Sequence, residues 1–498
     1  MDKLLLGIDF GTSTNFITKY DFSKKDAIPI ENMGEFGKSN IFENTIYIES
    51  SSNIVLGALA TKKGLSDPMN YFSDIKRYIV SDNWRERIPH FDNRLFSAQS
   101  IATLIFKEIK AKVEKSENRN IDGVVLTVPY AYSDTYRRKM KEAMDDAGIN
   151  VLKIIEEPIA AAVSFGIFDN NLNIGEKEKV LVFDFGGGTF DITIFEFRKE
   201  SKTHSKIEVL NTDGVERLGG KDIDAIIVSK FRDYLGIQYD DIKNNIELKK
   251  YQENLIKLAI ETKENLSEDD EYDIYENYMV DGISKELELD LSRNEFNKWL
   301  KENNIIGMIE DALDRTIMDV EPELEAEDIN RIILAGGSSS IPIIYETVKK
   351  YFGKEPQSSK NLGELVGHGA GVIAGLTEDK TLGYEIIRKV NKNIGIAKGN
   401  KFETILLKNT KYGKESSIYN INLENQKNDS FKITLYEGDS SIIEHCEEIG
   451  KITIESSLST NKIGLTLSKD EDKGLIVYHL YDSNGLKIKS DYIESIGA

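Results

Sequence analysis

The chain has 498 residues, too many for one ordinary core and enough for roughly three structural units. A formal charge of −21 repels phosphate backbones and anionic lipid over most of the surface, and no basic patch offsets it, so neither a nucleic acid nor a membrane is expected as a partner. One cysteine, Cys446, excludes an intrachain disulfide and a cysteine zinc cluster, while 40% hydrophobic residues supply enough apolar surface to exclude wholesale disorder.

Strand-like sequence begins at Leu4 to Asp9, which leaves no room for a leader peptide, and no apolar run approaches the ~20 residues of a membrane span. A soluble, cytoplasmic protein is expected. From Met1 to about residue 376, runs of Val, Ile and Phe alternate with helical patterns, the mark of α/β architecture. The pattern predicts strands at 123–128 (GVVLTV), 151–157 (VLKIIEE) and 331–336 (RIILAG), and helices at 97–116 and 133–148. Two more helices open with Pro158 and Pro342 in the first turn. The acidic stretch 267–276 (SEDDEYDIYE) reads as a solvated loop. A polar linker is expected at 377–390, and alternating short strands from 391 to 498 predict a small β domain. The five histidines, His90, His204, His368, His445 and His479, show no metal-ligand spacing.

Two segments carry the chemistry. LLLGIDFGTSTNFI (4–17) and VLVFDFGGGTFDITIF (180–195) each end a buried strand in an aspartate, Asp9 or Asp184, and then turn on glycine. A carboxylate there loses hydration unless a metal or its water shell restores it. Glycines after it let backbone N–H groups approach a phosphate with no Cβ in the way. Hydroxyls at Thr12, Ser13, Thr14 and Thr189 add short donors. Either turn alone reads equally as an ordinary hairpin; two copies, half a domain apart, imply an internal repeat with a metal-bound polyphosphate between the halves. A third glycine turn, LAGGSSSIP (334–342), follows a strand and opens a helix, where free N–H groups can meet a nucleotide.

These segments, with IKRYI (75–79), VVLTVPYAYSDTYRRKMKEAMDDAG (124–148), IIEEPIAAAVSFG (154–166), ERLGGKDID (216–224) and ETKENLS (261–267), resemble the DnaK-type seventy-kilodalton heat-shock chaperones, a branch of the actin, sugar-kinase and heat-shock ATPase superfamily. The resemblance implies a two-lobed, actin-like α/β ATPase domain with a duplicated mixed-sheet core over 1–376, its lobes dividing at about 178/179. A small all-β sandwich follows at 391–498. Since the chain stops at Ala498, it implies no C-terminal helical lid. It implies ATP and ADP as ligands, with Mg²⁺ held through water by Asp9 and Asp184, and phosphates bracketed by Gly11, Thr12, Ser13, Thr14, Gly186, Gly187, Gly188 and Thr189. Lys76 would face the γ-phosphate, and Glu157 and Asp191 would orient the attacking water or the metal shell. Gly219, Gly220, Lys263, Ser267, Gly336, Gly337 and Ser338 would surround sugar and base. Read without the family, Lys76 is a solvated lysine, Glu157 a helix-start acid and Asp191 a strand-end residue.

The implied partners are unfolded or apolar peptide segments, bound at Phe402, Tyr419, Phe431 and Ile433, together with a J-domain co-chaperone and a nucleotide exchange factor. Those four apolar residues equally suit plain core packing. Departures from the family pattern are local. Glu264 and Ser340 stand where two arginines usually clamp adenine, Gly363 where an acid closes the pocket, Lys389 where the linker ends in an acid, and Lys153 in place of the arginine facing it. They predict weakened adenine binding and altered coupling between domains. A nucleotide-gated scaffold for a dedicated partner and a small-molecule kinase remain the alternatives.

Overall fold

The computed structural model describes residues 2–31, 40–168, 172–237, 246–280, 283–320, 322–358, 362–379, 383–422, 430–455 and 462–494. Two mixed sheets built on one plan organise the first three quarters of the chain. The first runs Val151–Glu156, Gly123–Val128, Leu5–Phe10, Thr14–Asp21, Asp26–Pro29, with Ile41–Glu43 also paired to Thr14–Asp21. The second runs Arg331–Ala335, Lys177–Phe185, Phe190–Lys199, His204–Val215, Gly383–Ile387. In each, the strand that carries the aspartate has a parallel neighbour on one side and turns through glycine into an antiparallel neighbour on the other. The repeat read from two short motifs is thus a repeat of topology.

Helices cover both faces of these sheets, which is why the central strands are apolar throughout rather than alternating. Ala98–Glu117 and Asp134–Asp146 close the core of the first sheet. Gly220–Leu235, Ile305–Met318 and Pro342–Phe352 close that of the second. Between the sheets, Glu157–Phe168 packs against Leu365–Leu376, and residues from both lobes share the core around them. Small residues set the spacing here. A Cβ on Gly369 would overlap the Ala160 carbonyl, and one on Gly7 would overlap the backbone of Ala370 and Gly371.

The acidic stretch expected as a loop is instead the end of helix Ile246–Glu268 and the start of strand Glu271–Val280, paired antiparallel with Ile283–Ser292. Period-two alternation decides this: Ile274 and Tyr278 turn inward to the core while Glu271 and Asp273 face solvent. The expected linker also acquires structure, for Gly383–Ile387 adds in parallel to the edge of the second sheet. Residues 380–382 lie outside the described residues.

From Ile394 onward, two four-stranded sheets face each other. Their orders are Lys401–Leu406, Ile394–Lys398, Ser430–Glu437, Glu447–Glu455 and Tyr419–Asn422, Lys462–Lys469, Ile476–Tyr481, Lys487–Tyr492. Leu406, Leu435, Ile452, Leu465 and Leu480 fill the space between them. Among the described residues, no helix is long and apolar enough to cross a membrane.

This sandwich sits on the first lobe through polar contacts, most of them buried. Asp134 accepts from the Ile476 N–H at 2.8 Å, Arg138 donates to the Ile449 carbonyl at 2.6 Å, and Ser133 donates to Glu447 at 2.9 Å. Glu156, at the end of its strand, is the hub: it accepts from Arg137 at 3.0 Å, from Arg388 at 3.2 Å and from the Tyr412 hydroxyl at 3.2 Å. The Arg388 guanidinium also lies over the Tyr412 ring, 4.5 Å from its centroid. Lys153 finds an acid in Asp472, and Lys389 finds one in Glu208, so both departures noted in the sequence are matched by carboxylates elsewhere.

Candidate functional site

The two glycine turns face one another across the gap between lobes. The first is pinned from behind by Asn44, whose backbone N–H donates to the Ser13 carbonyl at 2.7 Å and whose side-chain amide donates to the Gly11 carbonyl at 2.6 Å. The second is held by the start of helix Gly220–Leu235, where the N–H groups of Gly220 and Lys221 donate to the carbonyls of Gly186 and Gly187 at 3.0 and 2.8 Å. A Cβ on Gly187 would overlap the Ser13 hydroxyl, and one on Gly188 would overlap Thr12. The third turn enters at Gly336, whose φ of +73° suits glycine and whose Cβ would strike Phe185 and Asp184. Asp9, Gly11, Thr12, Ser13, Thr14, Lys76, Glu157, Asp184, Gly186, Gly187, Thr189, Gly336 and Gly337 line a common cleft with Leu362, Gly363 and Val366.

Lys76 is no solvated lysine. It rides on the short helix Ile75–Tyr78, is 2% exposed, and places Nζ 2.6 Å from Glu157 Oε1. Burial pulls its pKa down, but the charges of Glu157 and Asp9 outweigh that and leave it raised. Around this single ammonium stand four carboxylates, Asp9, Asp184, Asp191 and Glu157. Burial, and then the charge of Glu157, push Asp9 and Asp191 up to about 7, and the same causes, with Asp191 and Asp9 added, drive Asp184 well up. Asp191 lies opposite Asp184 in the hairpin register. One of its oxygens accepts from the Ala131 N–H at 3.3 Å; the other is buried with no hydrogen-bond partner among the described residues. An excess of buried acid with an orphaned oxygen fits a hydrated divalent cation.

A stability prediction follows. The folded pKa of Asp191, about 7, lies above its unfolded value of about 3.9, so the proton it retains stabilises the fold fully below about pH 4, and this contribution is lost as pH rises through about 7. In EDTA, Asp191→Asn should therefore raise the melting temperature at pH 8 by about 2 °C or more, and by less at pH 5.5. Equal melting of mutant and wild type at pH 8 would contradict it.

Other residues named from the sequence lie beside the cleft. Gly219 abuts the backbone of Gly187 and Gly188, and Gly220 neighbours Ser338 and Lys263. Lys263 is committed to Asp224 at 2.7 Å, and the Ser267 hydroxyl donates to the Lys263 carbonyl at 2.7 Å, within its own helix. Sequence reasoning missed Thr127, which donates to Asp9 at 3.0 Å, and Asn44. The one signal for Thr127 was a hydroxyl inside the apolar run GVVLTV. In the sandwich, Ile433 is 7% exposed and belongs to the core, with Tyr419 and Phe431 packed partly buried against it. Phe402, opposite Ala397, is half-buried.

The family model described as "Hsp70 protein" matches residues 5–462. The chain is 29% identical over 451 residues to the "Chaperone protein DnaK" of Thermotoga petrophila and of Thermotoga maritima, covering 88% of this chain and 71% of each relative. The protein of the same name from Thermotoga neapolitana matches to the same extent.

Proposed function

The chain belongs to the Hsp70 protein family, and from that premise we propose that it is an ATP-dependent chaperone, hydrolysing ATP in the interlobe cleft and coupling that cycle to binding and release of unfolded, apolar peptide by its β-sandwich. The observation that carries this reading is the opposition of Thr12–Ser13 to Gly187–Gly188 with the Lys76–Glu157 pair between them. The cleft so formed offers N–H and hydroxyl donors from two sides, a buried cation, and acids for a metal shell.

We assign residues 1–376 to the ATPase unit and 391–498 to peptide binding. Asp9 and Asp184 would hold Mg²⁺ through water, and that ion, when bound, neutralises phosphate charge. The backbone N–H groups and hydroxyls of residues 11–14 and 186–189 position the phosphates. Lys76 stabilises charge developing on the transferred phosphoryl group. Glu157 fixes the Lys76 ammonium, and Asp191, through its unpartnered oxygen, orients the water that attacks. Gly219, Gly220, Lys263, Ser267, Gly336, Gly337 and Ser338 form the sugar and base side. Among the described residues after Ile394, secondary structure is strand and one short 3₁₀ turn.

The test is turnover of Mg·ATP by the purified chain, with anisotropy of a labelled apolar peptide measured in ATP and in ADP. Hydrolysis, with tighter peptide binding in ADP, is expected. No hydrolysis, or equal peptide affinity in the two states, would refute the reading.

A further inference from the structure

Four consecutive residues, Asp74 to Arg77, divide their attention between the lobes. Ile75 is buried in the core of the first lobe and Lys76 pairs with Glu157 there. Their neighbours reach across the gap. Arg77 donates to both carboxylate oxygens of Asp222, at 3.1 and 2.5 Å, and to the carbonyl of Gly188 at 3.0 Å. Asp74, in a left-handed conformation with φ of +61°, forms an ion pair with Lys221. Lys221 and Asp222 belong to the first turn of helix Gly220–Leu235, the turn already bonded to the carbonyls of Gly186 and Gly187.

We propose that Arg77 is a positioning residue for hydrolysis: through Asp222 and the Gly188 carbonyl it locks the Lys76 helix to the opposite phosphate turn, so that Lys76 is set against the phosphates only when the lobes are closed. The reading rests on the hydrolysis proposed above. Three features of the geometry support it. The bidentate fork fixes direction as well as distance, as a single ammonium would not. The two ion pairs are of opposite polarity, acid to base at Asp74 and base to acid at Arg77, so exchanging partners would oppose Asp74 to Asp222 and Arg77 to Lys221. The accepting carbonyl is that of a glycine in the phosphate turn itself, adjacent to Thr189. One side chain therefore senses both the flank and the apex of the second turn, one residue away from the lysine that acts.

The experiment compares steady-state Mg·ATP turnover and equilibrium ATP affinity in wild type, Arg77→Ala, Arg77→Lys, Arg77→Asp, Asp222→Ala and the exchange Arg77→Asp with Asp222→Arg. A displaced Lys76 should lower kcat by about a hundredfold in Arg77→Ala, with the dissociation constant for ATP within about threefold of wild type. Arg77→Lys should recover only part of that loss, and the exchange should turn over faster than Arg77→Asp alone. Unchanged kcat in Arg77→Ala, or a loss confined to ATP affinity, overturns the proposal. If Arg77→Ala fails to fold, Asp222→Ala and the exchange carry the same comparison. Turnover by the wild type tests the hydrolysis reading, whereas variant-to-wild-type ratios test Arg77, so the two fail separately.

Discussion

Lys76→Ala is expected to lower the rate of ATP turnover by about a hundredfold or more, the scale for removing a preorganised charge from a developing anion. The lysine is 2% exposed and already aimed into the cleft by Glu157, so no reorganisation is needed when charge develops. The same substitution strips the Lys76 ammonium from among four clustered acids, of which Glu157, Asp184 and Asp191 are buried. Breaking a buried pair in this way costs about 3–5 kcal/mol, which should show as a lower melting temperature in EDTA. Adding Glu157→Gln removes the stranded charge, and should recover much of the stability without recovering turnover. That divergence separates the catalytic from the structural contribution of Lys76. Turnover within about twofold of wild type in Lys76→Ala would remove it from the mechanism.

Glu156→Ala should release the β-sandwich from the first lobe. Its carboxylate receives two guanidinium groups and a phenol, and the loss leaves Arg137 and Arg388 buried without a counter-charge, again about 3–5 kcal/mol. Solution scattering should register a larger radius of gyration, and proteolysis should become faster around residues 377–390. An unchanged scattering profile would show that the apposition rests on other contacts. The pH dependence is also set. Burial opposes the ionised form of Glu156, but Arg388 and Arg137 outweigh it and hold the pKa down at about 2. A depressed acid stabilises fully above its unfolded value, about 4.3, and loses this contribution only as pH falls towards 2. Compactness should therefore be insensitive to this group between pH 8 and pH 5.

The strands and the two aspartate turns were legible because burial on both faces leaves long apolar runs, and because an acid followed by glycine at a strand end occurs twice, half a domain apart. The runs at 123–128 and 331–336 coincide with Gly123–Val128 and Arg331–Ala335 to within a residue. The polar face of helix Asp134–Asp146 was not legible in the same way. Nothing in the sequence singled out Asp134, Arg137 and Arg138, yet all three are buried beneath the sandwich. A charge pattern records that a face is polar; it does not record whether water or a second polar surface covers it. Nor could Lys76 be told from an exposed lysine, since its partner Glu157 is distant in sequence and only the crossing of elements brings them together.

Glu156 and Glu157 share a peptide bond, yet one holds the sandwich and the other holds the lysine in the cleft. A single peptide plane links their Cα atoms, so the contacts that hold the sandwich and those that hold the lysine start from adjacent residues of one strand end. By thermodynamic reciprocity, whatever factor a bound nucleotide applies to the apposition of the sandwich, the sandwich applies to nucleotide affinity. Any partner that pries the sandwich loose would then act as an antagonist of one nucleotide state, though it touched nothing in the cleft.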